Sequence, residues 1–290
     1  PDLWRDSGNI RANREFEEDS GLFGNWRSAA AKEGLKVRAG RWKIPGKPIA
    51  ILIDFTPFIS KKNEIFSEFW ETYKLDSLAG QWDYIEPAIF GYAAGKLIES
   101  FTNFHLSVKH TALAHFHEWM TGSGVLYLKN KAPHISTVFT THATTVGRSI
   151  SGNGLQLYKN LPDFDGDQKS KEFNVVSKHS LEKLAATYAD SFTTVSQITA
   201  EECKQLLERE VDVVTPNGFE DDFVPIQESF AKKRIEAKER LKQVAEALFG
   251  YKLQENAKFI VTSGRYEFRN KGLDVFIDAL AMANHEEENE

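Results

Sequence analysis

The sequence predicts an α/β fold, in which a Rossmann-like, mainly parallel sheet carries helices on both faces and is followed by the start of a second Rossmann-like domain. The first observation is that short β-branched and aromatic runs alternate with longer helical patterns along most of the 290 residues. The second is a late apolar run, beginning at Lys258, that leads through a polar loop into another helical pattern. The third is an ordinary composition, 41% hydrophobic and 27% charged, which suits one large or two medium domains.

The predicted elements alternate in type along the chain. Strands are predicted where β-branched, aromatic and aliphatic residues are concentrated: 48–55, 112–115, 135–141, 191–195 and 211–215. Helices are predicted where apolar residues recur at helical spacing: 87–101, 119–128, 181–189 and 198–209. Ser196 or Thr199 is the expected N-cap of the last helix, because a hydroxyl there accepts a hydrogen bond from a free backbone N–H.

The order of these elements divides the chain into three predicted parts. Residues 1–222 form the first Rossmann-like domain, 223–256 a helical insertion or linker, and 257–290 the beginning of the second domain. Within the insertion, 228–249 is rich in Lys, Arg, Glu and Ala and has apolar residues at helical spacing, which predicts an amphipathic helix. Its apolar stripe has two interpretations: a surface helix on its own domain, or a contact between subunits.

Composition excludes several classes of function. The net charge of −6 argues against a nucleic-acid-binding surface. No apolar run is long enough for a membrane span and no signal peptide is visible, so a membrane partner is not expected. The one cysteine, Cys203, suits a reducing compartment and is predicted to be a small buried or half-buried residue. Neither end of the chain looks natural, and we interpret it as a fragment.

Two strong cations lie in the polar loop that follows the late apolar run. Arg265 and Lys271 are six positions apart, between a predicted strand end and a helix start. Ligands of open α/β sheets bind at that edge, and a helix N-terminus adds backbone donors that favour phosphate. Arg offers a planar fork of donors and Lys a point charge, so the pair can neutralise a diphosphate. The alternative interpretation is two solvated loop cations.

A second polar cluster is predicted at the end of strand 135–141. His142 follows that strand directly, and Arg148 lies six positions later, one turn into the next helix. These side chains are candidates to face a ligand at the strand end, although a His that merely caps the helix is an open alternative.

Two other patterns resemble metal sites. In the HFHE segment, His115-x-His117-Glu118 could be metal ligands, but no third ligand is placed to join the two histidines. Contact of Glu118 with a substrate or with a neighbouring side chain is the better interpretation. The Asp163-x-Asp165-Gly166-Asp167 run imitates a calcium loop but has its glycine in the wrong position. A solvated acidic loop is the expected structure there.

Five motifs in order carry a resemblance to a known family. They are HFHEW at 115–119, TVFTTHAT at 137–144 with GR at 147–148, FTTVSQITA at 192–200, VVTPNG at 213–218 and GRYEFRNKG at 264–272. Together they closely resemble the glycogen synthase family of the animal and fungal type, which uses UDP-glucose. The likeness extends from about Leu35 to Asn284 and is weakest before Glu86.

The resemblance implies a fold and an activity. The fold is two facing Rossmann-like domains, the first on the acceptor side and the second binding the nucleotide sugar. The activity is transfer of glucose from UDP-glucose to the non-reducing 4-hydroxyl of an α-1,4-glucan, with retention at the anomeric carbon. It further implies no cofactor, no metal requirement, a cytoplasmic location and a homo-oligomer, most simply a tetramer assembled through the helical insertion.

The resemblance also assigns roles to residues. Arg265, Lys271 and His142 are the implied catalytic residues, and Arg148, Glu118 and Asn217 bind substrate. The family's Lys-bearing glycine loop and its paired glutamates are not found in this chain, so the polypeptide alone is expected to be inactive. A related transferase that uses another nucleotide sugar or acceptor remains an alternative, as does a non-catalytic glycan-binding or assembly protein of the same fold.

Overall fold

The computed structural model describes residues 15–107, 109–219, 224–269 and 271–287. The chain forms two compact units, Pro1–Pro216 and Asn217–Glu290. The three-part division into 1–222, 223–256 and 257–290 stays a prediction.

The elements alternate along the chain. The strands in the described residues are β1 (Phe16–Glu18), β2 (Lys36–Trp42), β3 (Ile49–Asp54), β4 (Ala112–His117), β5 (Ile135–Thr141), β6 (Ser191–Thr194) and β7 (Val213–Val214). The α-helices are α1 (Gly24–Lys32), α2 (Thr56–Ile59), α3 (Lys62–Tyr73), α4 (Trp82–His105), α5 (Gly122–Lys131), α6 (Thr145–Gly152), α7 (Gly166–Glu172), α8 (Val176–Tyr188), α9 (Gln197–Leu206), α10 (Gln227–Phe249) and α11 (Leu273–Glu287). The described residues also contain short 3₁₀ turns at Trp119–Thr121 and Leu161–Asp163.

A four-stranded parallel sheet organises the first unit. Its strands lie in the order β4-β5-β6-β7, the same as their order in the sequence, with helices in the connections. Alternate residues of β4 and β5, such as Ala114, Phe116 and Phe139, are buried in the main core. The predicted α/β fold class with a Rossmann-like parallel sheet is therefore confirmed, and Cys203 is buried as expected.

The predicted strand at 48–55 is real but belongs to a different sheet. It forms β3, which pairs antiparallel with β2, and β2 pairs antiparallel with β1. The sequence did not reveal β1 and β2, because Lys36, Arg38 and Arg41 of β2 give it a polar composition. In the structure, Arg38 lies beside Glu18 of β1, and the cross-strand ion pair makes this polar strand compatible with an antiparallel ribbon.

The predicted strand beginning at Lys258 is wrong. Within residues 224–269 and 271–287 the second unit contains α10 and α11 and no strand. Ile260 and Val261 are each 66% exposed. A strand is defined by hydrogen bonds to a neighbouring strand, and the described residues of the second unit contain no other strand to supply them.

The helix predicted at 228–249 is confirmed as α10. None of its residues is buried, and six large apolar side chains are exposed: Phe230, Ile235, Leu241, Val244, Leu248 and Phe249. No helix in the described part of the chain has the length and apolar character needed to cross a membrane.

Candidate functional site

Three histidines meet at the carboxyl end of β4 and β5. His115 and His117 point from the exposed face of β4, and His142 follows β5. Nδ1 of His117 lies 3.3 Å from Nε2 of His142, and Nε2 of His115 lies 2.7 Å from Oγ1 of Thr140. Burial and the neighbouring rings lower the pKa of His115 and of His117, which favours their neutral forms. His115 and His117 therefore present uncharged imidazoles that can donate or accept hydrogen bonds.

Glu118 joins this edge in an unusual backbone conformation. Its φ of 65° and ψ of 158° lie in a region that side-chain-bearing residues rarely occupy. The N–H of Glu118 donates to the carbonyl of Thr140 over 2.8 Å, which fixes the residue beside the end of β5. Such backbone strain costs about 1–3 kcal/mol and concentrates at functional sites. The structure thus places Glu118 firmly at the edge where ligands of parallel sheets bind.

Arg148 contacts Glu118 directly. Its Nη2 lies 3.2 Å from Oε1 of Glu118, and the side chains are 46% and 18% exposed respectively. Arg148 lies on α6, the helix that begins just after His142. Glu118, which the sequence analysis treated apart from the predicted cluster of His142 and Arg148, therefore lies with both of them at one edge of the sheet. Arg148 retains exposed guanidinium donors for an anionic or hydroxylated ligand.

The turn that carries His142 is held by two buried glutamates. Glu182 on α8 accepts from Oγ1 of Thr141 at 2.6 Å and from the backbone N of Thr145 at 2.8 Å. Glu202 on α9 accepts from the backbone N of Thr144 at 2.8 Å and from its Oγ1 at 2.6 Å. We name residues 141–145 the histidine turn. Both carboxylates are essentially inaccessible to solvent.

Glu202 also explains why the first residue of the GR motif, Gly147, is a glycine. A Cβ atom on Gly147 would lie only 2.2 Å from Oε1 of Glu202, so a larger residue would displace the carboxylate. Oγ1 of Thr144 in turn accepts from the backbone N of Gly147 over 2.9 Å and caps the N-terminus of α6. The start of the helix that bears Arg148 is thus fixed by the same group of side chains.

Sequence reasoning missed Glu182 and Glu202. A usable signal was present, because each lies on the apolar stripe of its helix: Glu182 with Ala185 and Ala186, Glu202 with Cys203 and Leu206. A carboxylate at a core-facing position needs specific hydrogen-bond donors. Burial raises the pKa of Glu182 to about 7, although the donors Thr141 and Thr145 oppose this effect.

The predicted cation loop lies in the second unit. The Nε atom of Arg265 is 3.1 Å from Oε1 of Glu267, and the arginine side chain is 69% exposed. The backbone N of Lys271 donates to the carbonyl of Glu267, and the Lys271 side chain runs past Gly264. The loop therefore folds back so that Lys271 comes close to the residue before Arg265. α11 begins two residues after Lys271, as predicted.

Asn217, the remaining predicted site residue, is exposed at the start of the second unit. It belongs to a different unit from the cluster at β4 and β5, and its role in substrate binding stays a prediction.

The acidic run at 163–167 has structural partners. Asp165 caps α7 by accepting from the backbone N of Gln168 at 2.7 Å. Asp167 pairs with the buried His179 at 2.8 Å and with Lys183 at 3.0 Å. In the part of the chain that the structure describes, no three His, Cys, Asp or Glu side chains are arranged to hold a metal ion.

Comparison with known proteins identifies the family. The profile of the family described as glycogen synthase matches residues 14–290. A glycogen [starch] synthase from Neurospora crassa is 34% identical over 260 residues, which is 89% of this chain and 36% of that protein. A glycogen [starch] synthase from Caenorhabditis elegans is 35% identical over 256 residues, covering 87% of this chain and 38% of that protein.

A mammalian relative gives the same result. The liver glycogen [starch] synthase of Mus musculus is 33% identical over 259 residues, 88% of this chain and 36% of that protein. The chain thus spans little more than a third of the length of the relatives it matches. The five sequence motifs, the parallel sheet and these matches agree, and the chain belongs to the glycogen synthase family.

Proposed function

We propose that the protein containing this chain transfers glucose from UDP-glucose to the non-reducing 4-hydroxyl of an α-1,4-glucan, with retention at the anomeric carbon. The observation that carries the proposal is the convergence of His142, Arg148 and Glu118 at the carboxyl edge of the parallel sheet. The relatives named above are glycogen synthases, which supports this reaction among those that such an edge can serve.

In the proposed reaction, the first unit orients the sugar. His142 offers an imidazole for a sugar hydroxyl, with its neighbour His117 limiting how the ring turns. Arg148 offers a guanidinium to the phosphates, and Glu118 holds that guanidinium or receives an acceptor hydroxyl. The neutral forms of His115 and His117, which their lowered pKa values favour, do not repel the positive charge that develops on the sugar.

Arg265 and Lys271 act on the leaving group in this proposal. Cleavage of the sugar–phosphate bond builds negative charge on the departing diphosphate, and preorganised cations stabilise that charge in the transition state. Arg265 is held by Glu267 and Lys271 by the folded loop, so both are oriented before the ligand arrives. Asn217 is proposed to contact the substrate as well.

The test is an assay of the full-length protein with UDP-glucose and an α-glucan primer. We expect incorporation into the primer, with α-configured linkages by nuclear magnetic resonance. Equal or better turnover with ADP-glucose would favour a related transferase with a different donor. Binding of the glucan with no transfer from either donor would favour a non-catalytic glycan-binding or assembly protein.

We expect the reaction to survive removal of divalent metal ions, because two cationic side chains occupy the position that a metal would serve at the diphosphate. The measurement is turnover of the full-length protein before and after dialysis against EDTA. Loss of activity that magnesium or manganese restores would contradict this prediction and redirect attention to Asp163, Asp165 and Asp167.

We expect a homo-oligomer, most simply a tetramer, in which α10 contributes to the contact. Four of its exposed apolar residues, Phe230, Leu241, Val244 and Leu248, recur at helical spacing and form a stripe, and burying this stripe against another copy stabilises the assembly. Sedimentation of the full-length protein at micromolar concentration measures this. Replacing Leu241 and Leu248 with Lys is expected to shift the protein toward monomer; a wild type that is already monomeric would contradict the prediction.

Composition and the single cysteine bear on nucleic acid binding and on cellular location. A net charge of −6 gives no basis for binding nucleic acid. One buried, unpaired cysteine suits a reducing compartment, so we infer a cytoplasmic protein.

A further inference from the structure

We propose that Glu182 is a positioning residue of this site: its buried carboxylate, with that of Glu202, holds the histidine turn so that His142 and Arg148 keep their places at the sheet edge. The inference rests on the proposed function only for the catalytic consequence. The mechanical part, a clamp on residues 141–145, rests on hydrogen bonds within the chain.

The contacts of Glu182 bracket His142. One carboxylate oxygen accepts from the hydroxyl of Thr141, the residue before the histidine, and the other accepts from the backbone N of Thr145, three residues after it. The carboxylate therefore spans the turn and fixes the distance between the end of β5 and the first residue of α6. Thr194 on β6 adds a third restraint by donating to the carbonyl of Thr141 over 2.7 Å.

Glu202 completes the clamp from a different helix. It takes both donors of Thr144 on one oxygen and the hydroxyl of Tyr158, at 3.1 Å, on the other. The absence of a side chain at Gly147 is what allows this carboxylate to approach. Two helices, α8 and α9, thus each send one carboxylate to the same five-residue turn.

A stabilising role alone does not account for this arrangement. A buried carboxylate is expensive to desolvate, and well-packed apolar residues in the same volume often give an equal or more stable fold. The partners of Glu182 are hydroxyl and amide donors, which recover only part of the desolvation penalty. What the carboxylates provide, and apolar side chains would not, is a defined geometry for polar backbone groups beside His142.

The experiment compares three variants. Glu182→Leu removes both acceptors and fills the space with apolar atoms. Glu182→Gln keeps an acceptor for the Thr145 amide and offers a donor to the Thr141 hydroxyl, so it restores the clamp without charge. Leu181→Ala, on the same helix, removes core packing and serves as the control for a merely structural effect.

Hydrogen exchange by mass spectrometry on this chain tests the clamp itself. We expect exchange of the peptide 141–148 to rise about tenfold in Glu182→Leu and to stay near the wild-type rate in Glu182→Gln and Leu181→Ala. A wild-type exchange rate in Glu182→Leu overturns the proposal. This measurement needs no activity, so it remains decisive even if the full-length wild type transfers no glucose and the proposed function fails.

Steady-state kinetics on the full-length protein test the consequence. We expect Glu182→Leu to lower kcat by about 10²-fold with a small change in KM, since a displaced catalytic group loses transition-state geometry. We expect Glu182→Gln and Leu181→Ala to stay within about fivefold of wild type, with only Leu181→Ala showing a clear fall in Tm. A Glu182→Leu enzyme with wild-type kcat, or an equal loss in Leu181→Ala, contradicts the positioning role.

If Glu182→Leu does not fold, Thr141→Val replaces it as the test. This change is nearly isosteric and removes one of the two donors to Glu182. We expect hydrogen exchange of peptide 141–148 to rise and kcat to fall, as in Glu182→Leu, but by less, with about a tenfold loss in kcat. A folded Thr141→Val protein with unchanged exchange and unchanged kcat also overturns the proposal.

Discussion

Replacing Arg265 or Lys271 with alanine in the full-length protein is expected to lower kcat by roughly 10²–10³-fold, the range for losing one preorganised electrostatic contact in a closed site. In the proposed reaction the loss falls mainly on turnover, because charge on the departing diphosphate grows only as the bond breaks. Lys271→Arg is expected to restore part of the activity, since a compact ammonium and a wide planar guanidinium do not reach the same oxygens.

The folded state is expected to tolerate these changes. Arg265 is 69% exposed and pairs with Glu267 at the surface, so its loss changes the free energy of unfolding by less than about 1 kcal/mol. Arg269→Ala, an exposed cation of the same loop, is the matched control and should keep its turnover. Steady-state kinetics with circular dichroism provide the measurement. Near-wild-type turnover in both alanine variants would mean that Arg265 and Lys271 are solvated loop cations with no role in the reaction.

The second large effect concerns pH and stability. The pKa of Glu182 rises from 4.5 in the unfolded chain to about 7 in the folded one, mainly because the carboxylate is buried. The folded state therefore binds the proton more tightly than the unfolded state. The stabilising contribution of the protonated Glu182 side chain is complete below pH 4.5 and is lost as pH rises through about 7. This shift corresponds to about 3 kcal/mol of unfolding free energy.

Glu182→Gln is expected to remove that pH dependence. Urea denaturation of this chain between pH 5 and pH 8 measures the difference between variant and wild type, so that other titrating groups, including His115 and His117, cancel. The wild type should lose about 3 kcal/mol relative to the variant across this range. Leu181→Ala should instead shift the whole curve without changing its shape. Parallel curves for wild type and Glu182→Gln would contradict the raised pKa.

Local pattern was sufficient to predict the parallel sheet. Its strands are short runs of β-branched, aromatic and aliphatic residues, and the first three are followed by helical patterns, so that information is contained within each segment. It was insufficient for β2, whose charged residues have partners outside the segment, such as Glu18 of β1 for Arg38 and Asp54 of β3 for Lys36. It also predicted a strand at Lys258 from apolar composition, although strand formation depends on a pairing partner elsewhere in space.

The candidate site was also predictable from the sequence only in part. Arg148 and His142 were predictable because residues near the carboxyl end of a parallel strand converge by topology. Their contacts with Glu118 and His117 depend on how β4 and β5 align, which the structure shows as pairing of His117 with Thr140. Glu182 and Glu202 lie 37 or more positions from their turn partners, so only the tertiary fold reveals what they hold.

The backbone of Glu118 has a consequence for how this position can evolve. Glycine adopts the observed φ of 65° and ψ of 158° readily, so Glu118→Gly would relieve an unfavourable conformation and lose the carboxylate that meets Arg148. Selection for thermal robustness and selection for turnover therefore act in opposite directions on one codon. A variant library screened for heat resistance alone should accumulate glycine at 118, whereas one screened for the proposed glucosyl transfer should retain the acid.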